Sequence, residues 1–408
     1  MVLWGFERVG IPLPEELTAG SARYLTGTYA EATDIGGNLS VRGFASKELQ
    51  NQFETAIENH IPAKASVLLF NAGMERSCIS IANAVCGWPC YPTRFESRIL
   101  YIPECDALGR TPLDFNEEIK SALRETAQGM VDIARDYPDK RFVWYLVGGL
   151  ENPSISPAYD LVSNGMSPEK TADYLEPIFR DVDNVTVLYD DYDNLDSYYN
   201  DFFRTDHHWK MTGAEKAYNT IASELELPQF SAGLKPIDNY VFSGSTARDG
   251  LFPMTEDVFD LDADFSYLTE LDDNKAFYCK FNHDRFWDVY NSGDPAVVSM
   301  FHDYYFDGNY YSGGYMVGGD GDRDAFIISN SYSGDIRPLL GSHYRYLRSF
   351  VTFSRNNRMY TPLRDLIEES NPDDVVFVAQ PAAYAGDLPY WFLGLEDVPQ
   401  GSGEDGRL

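Results

Sequence analysis

Two short stretches of this 408-residue chain hold residue types whose combination could do chemistry. The first is Phe203-Arg204-Thr205-Asp206-His207-His208-Trp209-Lys210, which sets two of the chain's six histidines beside an aspartate. The second is Asn330-Ser331-Tyr332-Ser333. A serine hydroxyl attacks only as a base removes its proton, and an imidazole can be that base. A carboxylate two residues from the imidazole can hold its tautomer. Either His207 or His208 could serve Ser331. On an extended loop, neighbouring side chains point to opposite sides, so Asp206 and His208 share a face while His207 turns away.

The flanking sequence supplies the elements that must position these groups. Thr212 followed by Glu215 predicts a capping box, and Ala217, Tyr218, Ile221 and Leu225 carry a helix behind it. Asp206 to Trp209 then lie on a loop at a helix N-terminus. Asp324 to Ser329 reads as a buried strand, and Ser333-Gly334-Asp335 opens a helix to about Tyr344. Ser331 thus falls on a strand-to-helix turn. Ligands of open α/β sheets bind at such carboxyl ends, and the free N–H groups of the next helix suit an oxyanion. The backbone N–H of Ser331 is the first candidate donor, with Gly244 and Asn330 beside it.

Other segments repeat this alternation. Helices are expected at 46–60, 116–137, 167–182 and 361–369, and strands at 65–71, 141–147, 184–189, 347–353 and 374–379. Together they predict an α/β fold of three layers around a central, mostly parallel sheet. Residues 74–112 show no clear pattern. Residues 229–320, rich in Asp, Tyr, Gly and Phe, read as an irregular insertion walling a site. We divide the chain into an N-terminal arm (1–45), one domain (46–398) and a Gly/Ser/Asp-rich tail expected to be disordered (399–408).

Composition removes several function classes. A formal charge of −32 excludes the basic footprint that nucleic acid requires, argues against docking on an anionic membrane surface, and favours solubility. No apolar run reaches the roughly 18 residues of a membrane span. The first residues lack the pattern of a signal peptide, which leaves two readings: a cytoplasmic protein, or a chain that begins after a removed export segment. Cys78, Cys86, Cys90 and Cys105 cluster, Cys279 stands apart, and their spacing fits neither a redox nor a zinc motif. Free thiols and disulfides of an exported protein both remain open. The 28 tyrosines and 6 tryptophans suit stacking on sugar rings, though aromatics equally fill cores.

The run Phe203 to Trp209, followed by Gly213-Ala214, resembles the signature of the DHHW family. That family is similar to the alginate O-acetylation proteins, a branch of the SGNH hydrolase-like superfamily in which the Asp-x-His element precedes the serine strand. Glu58-Asn59-His60-Ile61-Pro62 also resembles its N-terminal region. The resemblance implies Asp206 and His208 as the dyad and Ser331 as the nucleophile, with Asn330, Tyr332, Gly244 and Arg355 toward the substrate. Arg355 falls where relatives carry an Asp-x-Arg element. It further implies an SGNH-like O-acetyltransferase or acetylesterase acting on an exported polysaccharide outside the cytoplasm, without metal or cofactor, with a carbohydrate substrate and room for a membrane-bound acyl-transfer partner. Here Ser329-Asn330-Ser331 stands where relatives carry Gly-Asp-Ser. That change keeps a non-catalytic glycan-binding or assembly protein as the alternative. The acidic composition fits a polyanion such as alginate poorly and points to a neutral glycan or one of unknown kind. Asp-His-His also occurs in metal-dependent DHH phosphoesterases, for which Asp190, Asp191 and Asp193 could be further ligands, but Trp209 and the capped helix fit the first family.

Overall fold

The computed structural model describes residues 64–149, 155–157, 164–229, 241–257, 269–270, 315–319, 321–351, 361–386, 388 and 390–395. The helix expected at 46–60, the tail from 399, Cys279 and Arg355 lie outside these residues.

The described chain begins with α1 (Lys64–Cys86) and a three-stranded antiparallel sheet of β1 (Tyr91–Pro92), β2 (Ile99–Ile102) and β3 (Ala107–Arg110). Next come α2 (Glu117–Asp136), β4 (Arg141–Leu146), α3 (Pro168–Phe179), β5 (Val185–Tyr189), α4 (Leu195–Asp201) and α5 (Met211–Glu224). The segment 241–270 supplies β6 (Val241–Phe242), α6 (Ser245–Asp249), β7 (Glu256–Asp257) and β8 (Thr269–Glu270). The chain continues through β9 (Tyr315–Gly318), β10 (Asp324–Ser329), α7 (Ser333–Gly341), β11 (Tyr346–Val351), α8 (Leu363–Ser370), β12 (Asp374–Ala379) and α9 (Pro381–Gly386).

The main sheet runs β5-β4-β12-β10-β11-β9-β8. Its first five strands are parallel, and β9 and β8 add antiparallel at one edge. Side chains alternate between its faces as the strand pleat requires. Phe142, Trp144, Leu146, Phe326, Ile328, Val375 and Phe377 pack under α2, α3, α8 and α9. Val143, Tyr145, Ala325, Ile327, Val376 and Val378 pack under α4, α5 and α7. Three layers therefore close on two apolar seams. Trp144, fully buried, stacks on Tyr384 at 4.7 Å between ring centroids. Burying a side chain of that size contributes roughly 2–3 kcal/mol.

The sequence expectations for this layer hold closely. Asn116 caps α2 by accepting from the Ile119 N–H, and Ser167 caps α3 with Pro168 at its first position. The strand expected at 65–71 is a helix instead. A short apolar run fits either element, and here the residues C-terminal to it decide. The chain continues from Gly73 to Val85 without a proline, and Asn71 to Glu75 and Ser77 to Gly73 hydrogen-bond at helical spacing. The run faces outward, Phe70 being 70% exposed, so it serves no core strand. Among the described residues no helix is long and apolar enough to cross a membrane.

Candidate active site

Phe202 and Trp209 pair across the base of a closed loop, and the Phe203 N–H donates to the His208 carbonyl at 3.2 Å. Thr205 anchors it. Its N–H and hydroxyl both donate to Glu256 Oε1, at 2.8 and 2.9 Å, and its Oγ1 accepts from the Gly244 N–H at 3.0 Å. The Thr205 carbonyl accepts from Ala247 and the Arg204 carbonyl from Leu108. Burial pushes the Glu256 carboxyl upward, while the N–H groups it receives and the charge of Lys210 hold it down. Below the loop, α5 presses Gly213 against it: a Cβ there would lie 2.6 Å from the Asp201 carbonyl and 2.9 Å from Trp209 Cβ. The helix starts at Met211 with Lys210 as its cap residue, so the expected Thr212–Glu215 capping box does not form. Thr212 instead donates to the Asn200 carbonyl at 2.9 Å, tying α5 to α4.

On this loop the Asp206 carboxylate is fully engaged. Oδ1 accepts from His208 Nδ1 at 2.6 Å and from the His208 backbone N–H at 2.9 Å, and Oδ2 accepts from the Ser245 N–H at 2.5 Å. An acceptor at Nδ1 fixes the imidazole proton there and leaves the Nε2 lone pair outward. His208 Nε2 lies 2.7 Å from Ser331 Oγ. Asp206 is buried, His208 is half-buried, and Ser331 is exposed. The arrangement can take a proton from a serine hydroxyl that solvent and substrate can reach.

Ser331 comes from the carboxyl edge of the sheet, at the turn into α7, which packs on the same face as α5. Ser329, the last residue of β10, registers with Val378 on the adjacent β12. Two residues on, Ser331 stands beyond the carboxyl edge, level with Gln380 after β12. Asn330 Oδ1 accepts from the Tyr332 N–H at 3.2 Å, an Asx turn that bends the chain into α7. The Ser331 backbone N–H has no acceptor among the described residues. The Gly244 N–H, by contrast, is spent on Thr205.

The two histidines do not part as strand alternation suggested. Their ring centroids lie 3.9 Å apart, and His207 Nδ1 approaches Ser245 Oγ at 2.9 Å. The closed loop curls the chain, so alternation fails there. His207 still faces α6 rather than Ser331.

Four supporting residues were not foreseen from sequence. Ser245 engages Asp206 and His207. Gln380 Nε2 donates to Tyr332 Oη at 2.8 Å, and that phenol donates to the His207 carbonyl at 2.6 Å, joining the two halves of the site. Glu256 anchors Thr205. Asp335, in the first turn of α7, is buried, and burial lifts its carboxyl to about 7 with help from the Asp206 charge, against the pull of His208, Arg337 and Trp209. Gln380 could have been found from its place after a central strand. The other three carry no local signal beyond a turn, a helix start and an acid. Asp190 does not join this site: it accepts from Tyr145 and Thr220, both at 2.6 Å. Among the described residues only Asp206, His207 and His208 group as metal ligands do, and both Asp206 oxygens already accept hydrogen bonds.

These layers and this sheet edge define an SGNH hydrolase-like α/β fold. Two solved structures share it across most of the chain. A DHHW family protein from Eubacterium siraeum matches with a TM-score of 0.50 at 14% identity, covering 74% of this chain and 97% of its own. Bacillus cereus PatB1 carrying a sulfonyl adduct matches with a TM-score of 0.51 at 15% identity, covering 72% and 97%. The O-acetyltransferase domain of Pseudomonas putida AlgJ matches with a TM-score of 0.38 at 11% identity, covering 71% and 95%. No family profile and no curated protein matches the chain.

Proposed function

We propose that the protein is a serine acyl-transfer enzyme, an O-acetyltransferase or acetylesterase that acts on an exported polysaccharide outside the cytoplasm. The observation that carries this reading is His208, held between Ser331 Oγ at 2.7 Å and Asp206 Oδ1 at 2.6 Å. In the proposed reaction, His208 takes the Ser331 proton as Oγ attacks the acetyl carbonyl. Asp206 stabilises the imidazolium. The tetrahedral oxyanion is held by the Ser331 N–H. His208 then returns the proton to the departing group, the sugar oxygen in the esterase form or the donor in the transferase form, leaving an acetyl-serine. A water or a second hydroxyl, deprotonated by His208, releases the acetyl group. In the transferase form, the donor is carried by a membrane-bound partner.

The test uses p-nitrophenyl acetate and a sulfonyl fluoride, a reagent class suited to a fold whose PatB1 example was solved with a sulfonyl adduct. Wild-type protein should release nitrophenol and gain one sulfonyl mass on Ser331, and Ser331→Ala should do neither. Equal turnover by Ser331→Ala and wild type, or no labelling of Ser331, would reject the enzyme and leave a glycan-binding protein of the same fold.

A further inference from the structure

A cavity of about 540 Å³ lies on the α6 side of the site, lined by Arg94, Arg98, Arg110, Glu96, Asp249 and Gln380 among others. Two elements tie it to the catalytic groups. Gln380, on its wall, hydrogen-bonds Tyr332, the residue after Ser331. Helix α6 begins at Ser245, whose N–H holds Asp206, and ends at Asp249 on the cavity wall. Four residues of helix advance only about 6 Å. A ligand in the cavity therefore ends close to the Asp206–His208 loop.

The charge of this region departs from that of the chain. Over residues 64–112 there are five cationic residues and four acidic ones, in a protein of net charge −32. Within the cavity three guanidiniums face two carboxylates. Arg98 makes no side-chain hydrogen bond or ion pair among the described residues, and Arg94 Nε is buried without a hydrogen-bond partner there. Among the described residues Arg110 is held by Asp249 alone, at 3.0 Å in a solvent-exposed pair. Such a pair is worth little and yields readily to a better acceptor. Planar guanidiniums suit bidentate carboxylate and phosphate groups. Ile99, Leu113, Met166 and Pro381 add apolar lining of the kind a sugar ring can rest on.

We infer that this cavity is a subsite for a carboxylate substituent carried by the polysaccharide whose acetyl group reaches Ser331. The inference rests on the proposed function for the word substrate, and it replaces the neutral glycan expected from overall charge with one that bears an acid at a fixed place. Asp249 then acts as the internal competitor that the ligand displaces from Arg110.

Calorimetric binding tests this without turnover, so it reports on the cavity even where Ser331 is inert. The full chain is titrated with trigalacturonate, with maltotriose and with sodium phosphate. Trigalacturonate should bind at least about tenfold tighter than maltotriose, and phosphate should compete with it. The double variant Arg98→Gln/Arg110→Gln should lose about tenfold or more for trigalacturonate and nothing for maltotriose. Asp249→Asn, which frees Arg110, should bind trigalacturonate more tightly than wild type. Equal binding of the two trimers overturns the inference. So does phosphate binding without trigalacturonate binding, which marks a site for free anions. An unchanged trigalacturonate affinity in a double variant with a wild-type melting curve does the same. If the double variant fails to fold, weaker or equal binding by Asp249→Asn rejects the idea on its own.

Discussion

Gly244 lies so close to Asp206 that a side chain there has no room: its Cβ would stand 2.6 Å from Asp206 Oδ2 and closer still to Asp206 Cβ. Its neighbour Ser245 donates to that same oxygen, so the two residues set the carboxylate from one side. Gly244→Ala should move Asp206 and with it the His208 ring. A displacement of about 1 Å costs on the order of 100-fold in rate. Nitrophenyl acetate turnover should fall by that order while circular dichroism keeps the wild-type fold. Wild-type turnover in the variant would show that Asp206 does not need this placement.

The proposed roles order the effects of the loop substitutions. His208→Ala removes the base and should abolish turnover, as Ser331→Ala does. Asp206→Asn keeps the geometry but loses the charge that favours the Nδ1–H tautomer, and should leave a small residual rate. His207→Ala removes a ring that touches Ser245 rather than Ser331, and should cost no more than about tenfold. Steady-state rates for the four variants decide. A larger loss at His207 than at His208 would exchange their roles.

The sequence was most legible where one physical rule acts locally. The strand Asp374–Ala379 matches its expected limits because six buried residues bounded by polar ones have few alternatives. Asn116 and Ser167 announce their helices because a cap is satisfied within three residues. The grouping of Asp206, His208 and Ser331 was legible through residue type, order and family resemblance. The helix at Lys64–Cys86 was not, because an apolar run of seven residues does not state its period. Thr212 misled for a related reason: its hydroxyl found the Asn200 carbonyl, a partner from another element. The contributions of Ser245, Glu256 and Asp335 depend on contacts across 39, 51 and 127 positions of chain and leave no local pattern.

Tyr332 links both halves of the site, accepting from Gln380 and donating to the His207 carbonyl. Tyr332→Phe leaves a part-buried amide and carbonyl without this partner, at a cost of about 1–2 kcal/mol. At about 2–4 °C per kcal/mol for a chain of this size, the melting temperature should fall by several degrees. Because the loop that carries His208 also loosens, kcat should drop more than KM rises. Thermal melts with paired kinetics test both, and an unchanged melting curve would show that the link carries no stability.

Asp335 gives the protein a pH dependence whose sign is fixed. Burial and the Asp206 charge lift its carboxyl from the ordinary 3.8 to about 7, although His208, Arg337 and Trp209 draw the other way. Between about pH 4 and pH 7 the folded protein thus holds a proton that the unfolded chain has released. Raising the pH across that window favours the unfolded chain, so this stabilisation is present at low pH and lost as pH approaches 7. Three units at about 1.4 kcal/mol each set an upper bound near 4 kcal/mol, or roughly 10 °C in melting temperature. Asp335→Asn cannot titrate. Melting temperatures of wild type minus variant, taken from pH 5 to pH 8, should therefore fall steadily and level off above about pH 7. The subtraction removes the titrating groups that the two proteins share and that do not interact with Asp335. A difference that stays flat across the range would show that Asp335 is already ionised beneath the site at pH 5, held so by Arg337.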